Sequence, residues 1–133
     1  MASVQTLSDA DRRTVARWAA DCAERVLPLF TAEVPGDDRV RDAIARTHAY
    51  ARGESTAAEE IRKRLIAAKA ASAATSPAGA AAARAAGQAS AVAHMGAHAL
   101  GAAAYAAKAV ALANPDDPEL VRDEVAWQLG HLT

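Results

Sequence analysis

The stretch from Ala67 to Ala113 is mostly alanine. Alanine is the best helix former and carries the smallest side chain with a Cβ, so the stretch reads as tightly packed helix. Helices faced with Ala and Gly approach toward the close end of the usual interaxial range of about 8–10 Å, and the centre of the molecule is expected to be compact and thin. Two histidines four residues apart are conspicuous within it, in Ala93-His94-Met95-Gly96-Ala97-His98-Ala99-Leu100-Gly101.

A chain of 133 residues is the size of one domain, large enough to bury a core and too small to divide comfortably. The net charge of −1 provides no basic field that would draw it to nucleic acid or anionic lipid. Cys22 is the only cysteine, which excludes an internal disulfide and a multi-cysteine zinc site and suits a reducing compartment. The N-terminal residues lack the basic and apolar regions of a secretory signal, so a cytoplasmic protein is expected. The uncharged window from Ala85 to Ala107 is long enough to span a bilayer, but Gln88, Ser90, two histidines and several glycines make it a poor membrane segment.

No alternating β-branched run argues for a strand, and the expected architecture is all-α, a compact Ala-rich bundle of five to six helices formed by residues 1–133 as one domain. The first helix starts at Ser8 and runs to Val26, with Trp18, Cys22, Val26 and Leu29 along one face and Pro28 ending or kinking it. Pro35-Gly36-Asp37 is a turn before a second helix whose Val40, Ile44, Thr47 and Ala51 face inward until Gly53 stops it. Thr56-Ala57-Ala58-Glu59 has capping-box spacing, and Ile61, Leu65, Ala68 and Ser72 trace a third amphipathic helix ending near Thr75-Ser76-Pro77. Ala78 to Ala113 gives two helices or one kinked helix, with Met95-Gly96 or Ala86-Gly87 as the weak point. After the breaker Asn114-Pro115-Asp116-Asp117-Pro118, the spacing puts Leu120, Val121, Val125 and Leu129 on the apolar face of the last helix, clamped to the bundle by Trp127. Only 4% of the residues are aromatic, so Trp18, Phe30, Tyr50, Tyr105 and Trp127 supply much of the large apolar surface.

On a continuous helix His94, His98, Gly101, Tyr105 and Leu112 fall along one stripe, both imidazoles reach the same space, and Gly101 leaves room beside them. Three roles are open to the pair. They can satisfy buried polar contacts between helices, such as to Asp21 or to backbone carbonyls. They can line a ligand pocket with Trp18, Asp21, Cys22 and Tyr105, where an Asp-paired imidazole performs acid or base chemistry. The His-x3-His spacing also suits a metal, but the zincin glutamate is replaced by Met95, and Cys22, Asp21, Glu24 and His48 supply further donors at no diagnostic spacing, so no metal is assigned. Cys22 lies mid-helix, away from anything that would lower its pKa, and reads as a buried inert thiol. Arg62-Lys63-Arg64, after Glu59 and Glu60, reads as a solvated face. No phosphate-binding glycine loop or nucleophile elbow is present, and no cofactor is expected.

Three segments carry a resemblance. Trp18-Ala19-Ala20-Asp21-Cys22-Ala23-Glu24-Arg25-Val26-Leu27-Pro28-Leu29-Phe30, then Ala43 to Gly53, then Ala93 to Tyr105 resemble, in order, the bacterial putative immunity protein family related to polymorphic-toxin immunity proteins. The resemblance implies a small cytoplasmic helical protein that protects its producer by binding a toxin. The matching positions Trp18, Asp21, Cys22, Glu24, Arg25, His94, His98, Gly101 and Tyr105 are implied to form a pocket or structural centre.

Two functions follow as expectations. The chain is an immunity or self-resistance protein that binds and neutralises a toxin protein or toxic small molecule. Alternatively it is a small enzyme of specialised metabolism in which Asp21, His94 and His98 perform acid–base chemistry and Trp18, Cys22, Arg25, Gly101 and Tyr105 hold the ligand. An Ala-rich face left uncovered by the helix count would provide a homodimer seam.

Overall fold

The structure, a computed structural model, describes residues 7–132. They form seven α-helices and one short 3-10 turn, in the order α1 (Asp9–Thr31), α2 (Arg39–Ala51), α3 (Ala57–Lys63), α4 (Ile66–Ala70), a 3-10 turn (Ala71–Ala73), α5 (Pro77–Ser90), α6 (His98–Ala113) and α7 (Pro118–Gly130). There is no strand among the described residues, and none of their helices is long and apolar enough to cross a membrane. Five helices are long, and α3, α4 and the 3-10 turn together occupy the place of one more.

The alanine run explains the centre. α5 packs against α1, α2, α4 and α6. A helix enclosed on so many sides can keep only small side chains, and Ala78, Gly79, Ala81, Ala82, Ala83, Ala85, Ala86, Gly87 and Ala89 are all buried. Bulk comes from the neighbouring helices: Trp18, Val26 and Phe30 of α1 and Val40, Ile44 and Tyr50 of α2 close the core around it.

Local signals set most helix ends. The Ser8 hydroxyl accepts the amide of Asp11, Thr56 accepts that of Glu59, and Ser76 accepts that of Gly79. Gly53, at φ 82°, terminates α2 in the left-handed region. The α5 start is also tied to the end of α1, because the Glu33 carboxylate accepts from the Ser76 hydroxyl at 2.8 Å. A Cβ at Gly79 would lie 2.2 Å from that carboxylate, so the glycine makes the link possible.

Four expectations are corrected. α1 continues through Pro28 to Thr31, held there by the fully buried Phe30 and by the Ala32 amide, which donates to the Pro28 carbonyl. The third helix is broken after Lys63, and its register differs: Leu65, Ala68 and Ser72 are exposed, while Ala67 and Ala70 face inward, where only a methyl fits against α5. Of the two weak points expected in the long alanine segment, the break falls at Met95-Gly96, within Ala91–Ala97, and Ala86-Gly87 lies in the middle of α5; what is corrected is the histidine stripe. His94 therefore sits in a turn and shares no helical stripe with His98.

The fourth correction concerns α7, which is rolled by part of a turn from its apolar pattern, so that of the expected face only Val121 stays half-buried. Leu120, Val125 and Leu129 are exposed, Leu129 to 64%, and the residues facing the bundle are Glu124 and Gln128, each only 5% exposed. Polar contacts fix this orientation. The Trp18 indole donates to the Gln128 carbonyl at 2.7 Å, and the Gln128 amide donates to the Ala103 carbonyl at 2.9 Å. Arg25 grips Glu124 with three contacts of 2.9–3.1 Å and lies 4.0 Å over the Trp127 ring. Trp127 does clamp α7 to the bundle, through this guanidinium contact on a partly buried ring.

Candidate functional site

The sequence-derived candidates divide among three places. Trp18 and Arg25 hold α7, as described. Asp21 meets neither histidine of the alanine segment: it pairs with Arg17 at 3.3 Å and faces His48 Nε2 at 3.8 Å, so the expected cross-helix Asp–His pairing to His94 or His98 is not formed. Cys22 is fully buried beneath this face, and burial, reinforced by the charges of Glu124 and Asp21, pushes its thiol up to about 12. Such a thiol is protonated at neutral pH and is no nucleophile.

Of the remaining four, His98, Gly101 and Tyr105 are brought together on α6. They border a cleft of about 320 Å³ lined by Arg64, Leu65, Ala68, Arg84, Gly87, Gln88, Ala91, His98 and Tyr105. His98 and Tyr105 line it directly. Gly101 acts from behind, since a Cβ there would lie 2.4 Å from Gln88 Oε1, and its absence lets the Gln88 side chain lie across α6. Gln88 Oε1 is 2.8 Å from His98 Nδ1, and with the amide oxygen as acceptor the imidazole carries its proton on Nδ1 and leaves Nε2 free to accept. Gly87 performs a similar service on the other wall: a Cβ would come within 3.1 Å of the Ala68 backbone nitrogen, so the glycine lets α4 close on α5.

His94 lies outside the cleft lining, but the turn still places its ring 6.4 Å from that of His98, nearly parallel. Burial holds the His98 pKa below 6.5, assisted by repulsion from His94 and Arg64. The cleft is therefore a site with two guanidinium groups, a neutral imidazole, an amide and a phenol, and with no carboxylate in its lining. The lining offers donors that suit negative charge, and no carboxylate of the lining pairs with His98.

A second group lies between α1 and α2. One donor atom each from Asp21, Glu24 and His48 falls within 4.8 Å of the others, a set that fits a divalent cation in type. The set is bordered by cations, because Asp21 is already engaged by Arg17, and Arg41 and Arg52 line the adjoining cavity with Glu24 and His48. Of these arginines only Arg17 is paired within the set, since Arg41 pairs with Asp38 and Arg52 with Glu54.

Arg64, Arg84, Gln88, Glu124 and Gln128 are the functional or anchoring residues that sequence reasoning missed. Gln88 and Arg84 had a visible signal, as the two long polar side chains in a helix of small residues. For Arg64, part of an ordinary charge run, no such signal exists.

Comparison with characterised proteins and with solved structures finds no match. A family model does match, over residues 5–133, and through it this small helical chain belongs to the Imm-5 like putative immunity protein family.

Proposed function

We propose that the chain confers immunity by masking a cationic protein toxin with the outward face of α7. The observation that carries this reading is the apolar side chains that the helix leaves on its far side: Glu124 and Gln128 face the bundle, while Val125 is 39% and Leu129 64% exposed. Leu132, just beyond the helix, and Leu112, near the end of α6, are exposed as well. Scattered exposed leucines are ordinary, but Val125, Leu129 and Leu132 follow one another at helical spacing at the end of α7 and give a surface suited to a partner.

The rim of the face supplies the sign of that partner. Asp116, Asp117, Glu119 and Asp123 are exposed just before α7 and along its first turns, and the one basic residue among them, Arg122, is paired with Glu119. Acidic charge about an apolar centre favours a basic protein surface, steering its approach while the leucines provide the buried contact. The immunity family membership supports a toxin as that partner.

The test is protection of a host from which this chain has been deleted and to which variants are returned. Leu129→Asp with Leu132→Asp should abolish protection and weaken binding of the purified toxin by roughly 100-fold or more, since a centrally placed hot spot carries about 2 kcal/mol or more. Circular dichroism and the melting temperature should stay near wild type, because both side chains already face water. Full protection by the double variant would overturn the proposal. So would light scattering that finds a homodimer burying this face, or loss of protection on Arg84→Gln, which would move the activity to the cleft and to a small-molecule toxin.

A further inference from the structure

We infer that the cleft between α4, α5 and α6 is a binding site for a small organic anion, whose carboxylate or phosphate group is held by Arg64, Arg84 and the His98–Gln88 pair. This inference does not rest on the toxin-masking role of α7, and the cleft and that face share no lining residue.

The pattern of ion pairing is the first support. Of the twelve arginines in the chain, nine meet a carboxylate among the described residues; the exceptions are Arg62, Arg64 and Arg84. Two of those three line the same cleft, where no acidic residue neutralises them. Arginine presents a fixed fork of donors that matches carboxylate and phosphate oxygens, so two uncompensated guanidinium groups on one concave wall define an oxyanion site.

The second support is construction. The cleft owes its shape to two glycines on two helices: Gly87 admits the Ala68 backbone and Gly101 admits Gln88. Gln88 in turn orients His98, directing the free Nε2 edge rather than the Nδ1 edge to a ligand. Leu65 and Tyr105 furnish an apolar wall beside these polar groups, the combination that small-molecule sites share. A volume of about 320 Å³ is at the small end of such sites, suited to a compact metabolite.

The charges that act on His98 predict how occupation is felt. Arg64 faces it from the α3–α4 joint, Arg84 shares the cleft from α5, and His94 stands beside it in the turn. On α6 itself the groups are the Tyr105 phenol and Lys108, whose ammonium lies 5.9 Å from the Tyr105 ring centre. All of these are cationic or neutral at pH 7, so an incoming anion reverses the local field. It favours protonation of His98, and the bound imidazolium donates from Nε2 to the anion. Binding therefore takes up a proton and strengthens as pH falls through the histidine range.

The experiment is an NMR titration of the four imidazoles of the full chain at constant ionic strength, in chloride alone, with inorganic phosphate, and with acetate. The expected result is a saturable rise of the His98 pKa, by about half a unit or more, while His48 and His131 do not move. In Arg84→Gln, a change at an exposed side chain that leaves the fold intact, the probe should bind roughly tenfold more weakly. A response to phosphate alone identifies a phosphate ligand, and a response to acetate alone or to both identifies a carboxylate or a general oxyanion site. No saturable response to either probe, an equal response in Arg84→Gln, or an equal shift at His48 and His131 overturns the inference.

Discussion

Replacing Arg25 by methionine should loosen α7 more than replacing Glu124 by glutamine, although the two residues form one ion pair. The asymmetry follows from their burial: the Glu124 side chain is 7% exposed and that of Arg25 is 39% exposed. Methionine preserves the apolar stem of Arg25 but removes every contact to the carboxylate, which is left in a dry position facing the bundle. Breaking a buried pair from one side costs about 3–5 kcal/mol. Water already reaches the guanidinium side of this pair, which screens it and brings the expected loss to roughly 2–3 kcal/mol, including the contact of Arg25 with the Trp127 ring. Glu124→Gln keeps an oxygen that accepts from Arg25 and strands only a guanidinium that is partly hydrated, for a loss of about 1 kcal/mol. The double change Arg25→Met, Glu124→Leu removes both charges and should be less damaging than the sum of Arg25→Met and Glu124→Leu by about 1–2 kcal/mol. Urea unfolding followed by circular dichroism gives the energies of the four variants, and amide exchange along 118–130 shows whether the loss is confined to α7. Equal losses for Arg25→Met and Glu124→Gln, or strict additivity in the double variant, would refute the view that this pair sets the orientation of the helix.

Gly101→Ala should leave stability within about 1 kcal/mol of wild type, because a gain of about 1 kcal/mol in helix propensity offsets the lost Gln88–His98 bond, while the 15N shifts of His98 report a changed tautomer; a loss above about 3 kcal/mol would show that Gln88 cannot swing clear. Cys22, with its thiol pushed up to about 12, should resist an aromatic disulfide reagent at pH 8 in the native protein and react at once in urea, and rapid native labelling would contradict its burial. His98 titrates below 6.5 when folded, so between its folded value and 6.5 the unfolded chain binds more protons, and stability rises with pH over that window and levels above it; His98→Gln should flatten this rise in urea midpoints measured from pH 5 to 8. Asp9 is held below 3.8, chiefly by the Tyr50 hydroxyl and then by Arg13, so its contribution is present above pH 3.8 and is lost as pH falls through its folded value, and Asp9→Asn should reduce the steepness of acid unfolding.

Where one residue decides a local event, the sequence was readable. Ser8 and Thr56 start helices with their own hydroxyls, Gly53 stops one by adopting a φ that other residues avoid, and Asn114 to Pro118 interrupts the last two. The break near Met95-Gly96 was legible for the same reason. Part of the site was legible too: His98, Gly101 and Tyr105 lie on one side of α6 because their spacing is helical. Arg64 and Gln88 come to that site from other helices, and their arrival depends on how closely α4, α5 and α6 approach. That distance is set by pairs of small residues such as Gly87 with Ala68, which a single-helix pattern does not express.

The failure at α7 has a different cause and says more about the molecule. Periodicity assigns the apolar side of a helix to the core because burial of large side chains usually outweighs every other term. Here the surface offered to α7 is formed by α6, whose buried residues are alanines, so a leucine packed there would gain little more than a methyl's worth of complementary contact. Against that small difference, the guanidinium of Arg25 and the amide bond to Ala103 are decisive, since they require Glu124 and Gln128 to face inward, and the Trp18 indole adds a bond to the backbone carbonyl of Gln128. An alanine core thus transfers orientation from hydrophobic area to specific polar contacts. It also displaces the large aliphatic side chains outward, to Leu65, Leu100, Leu112, Leu120 and Leu129, so that the same composition that makes the centre thin equips the surface to meet another molecule.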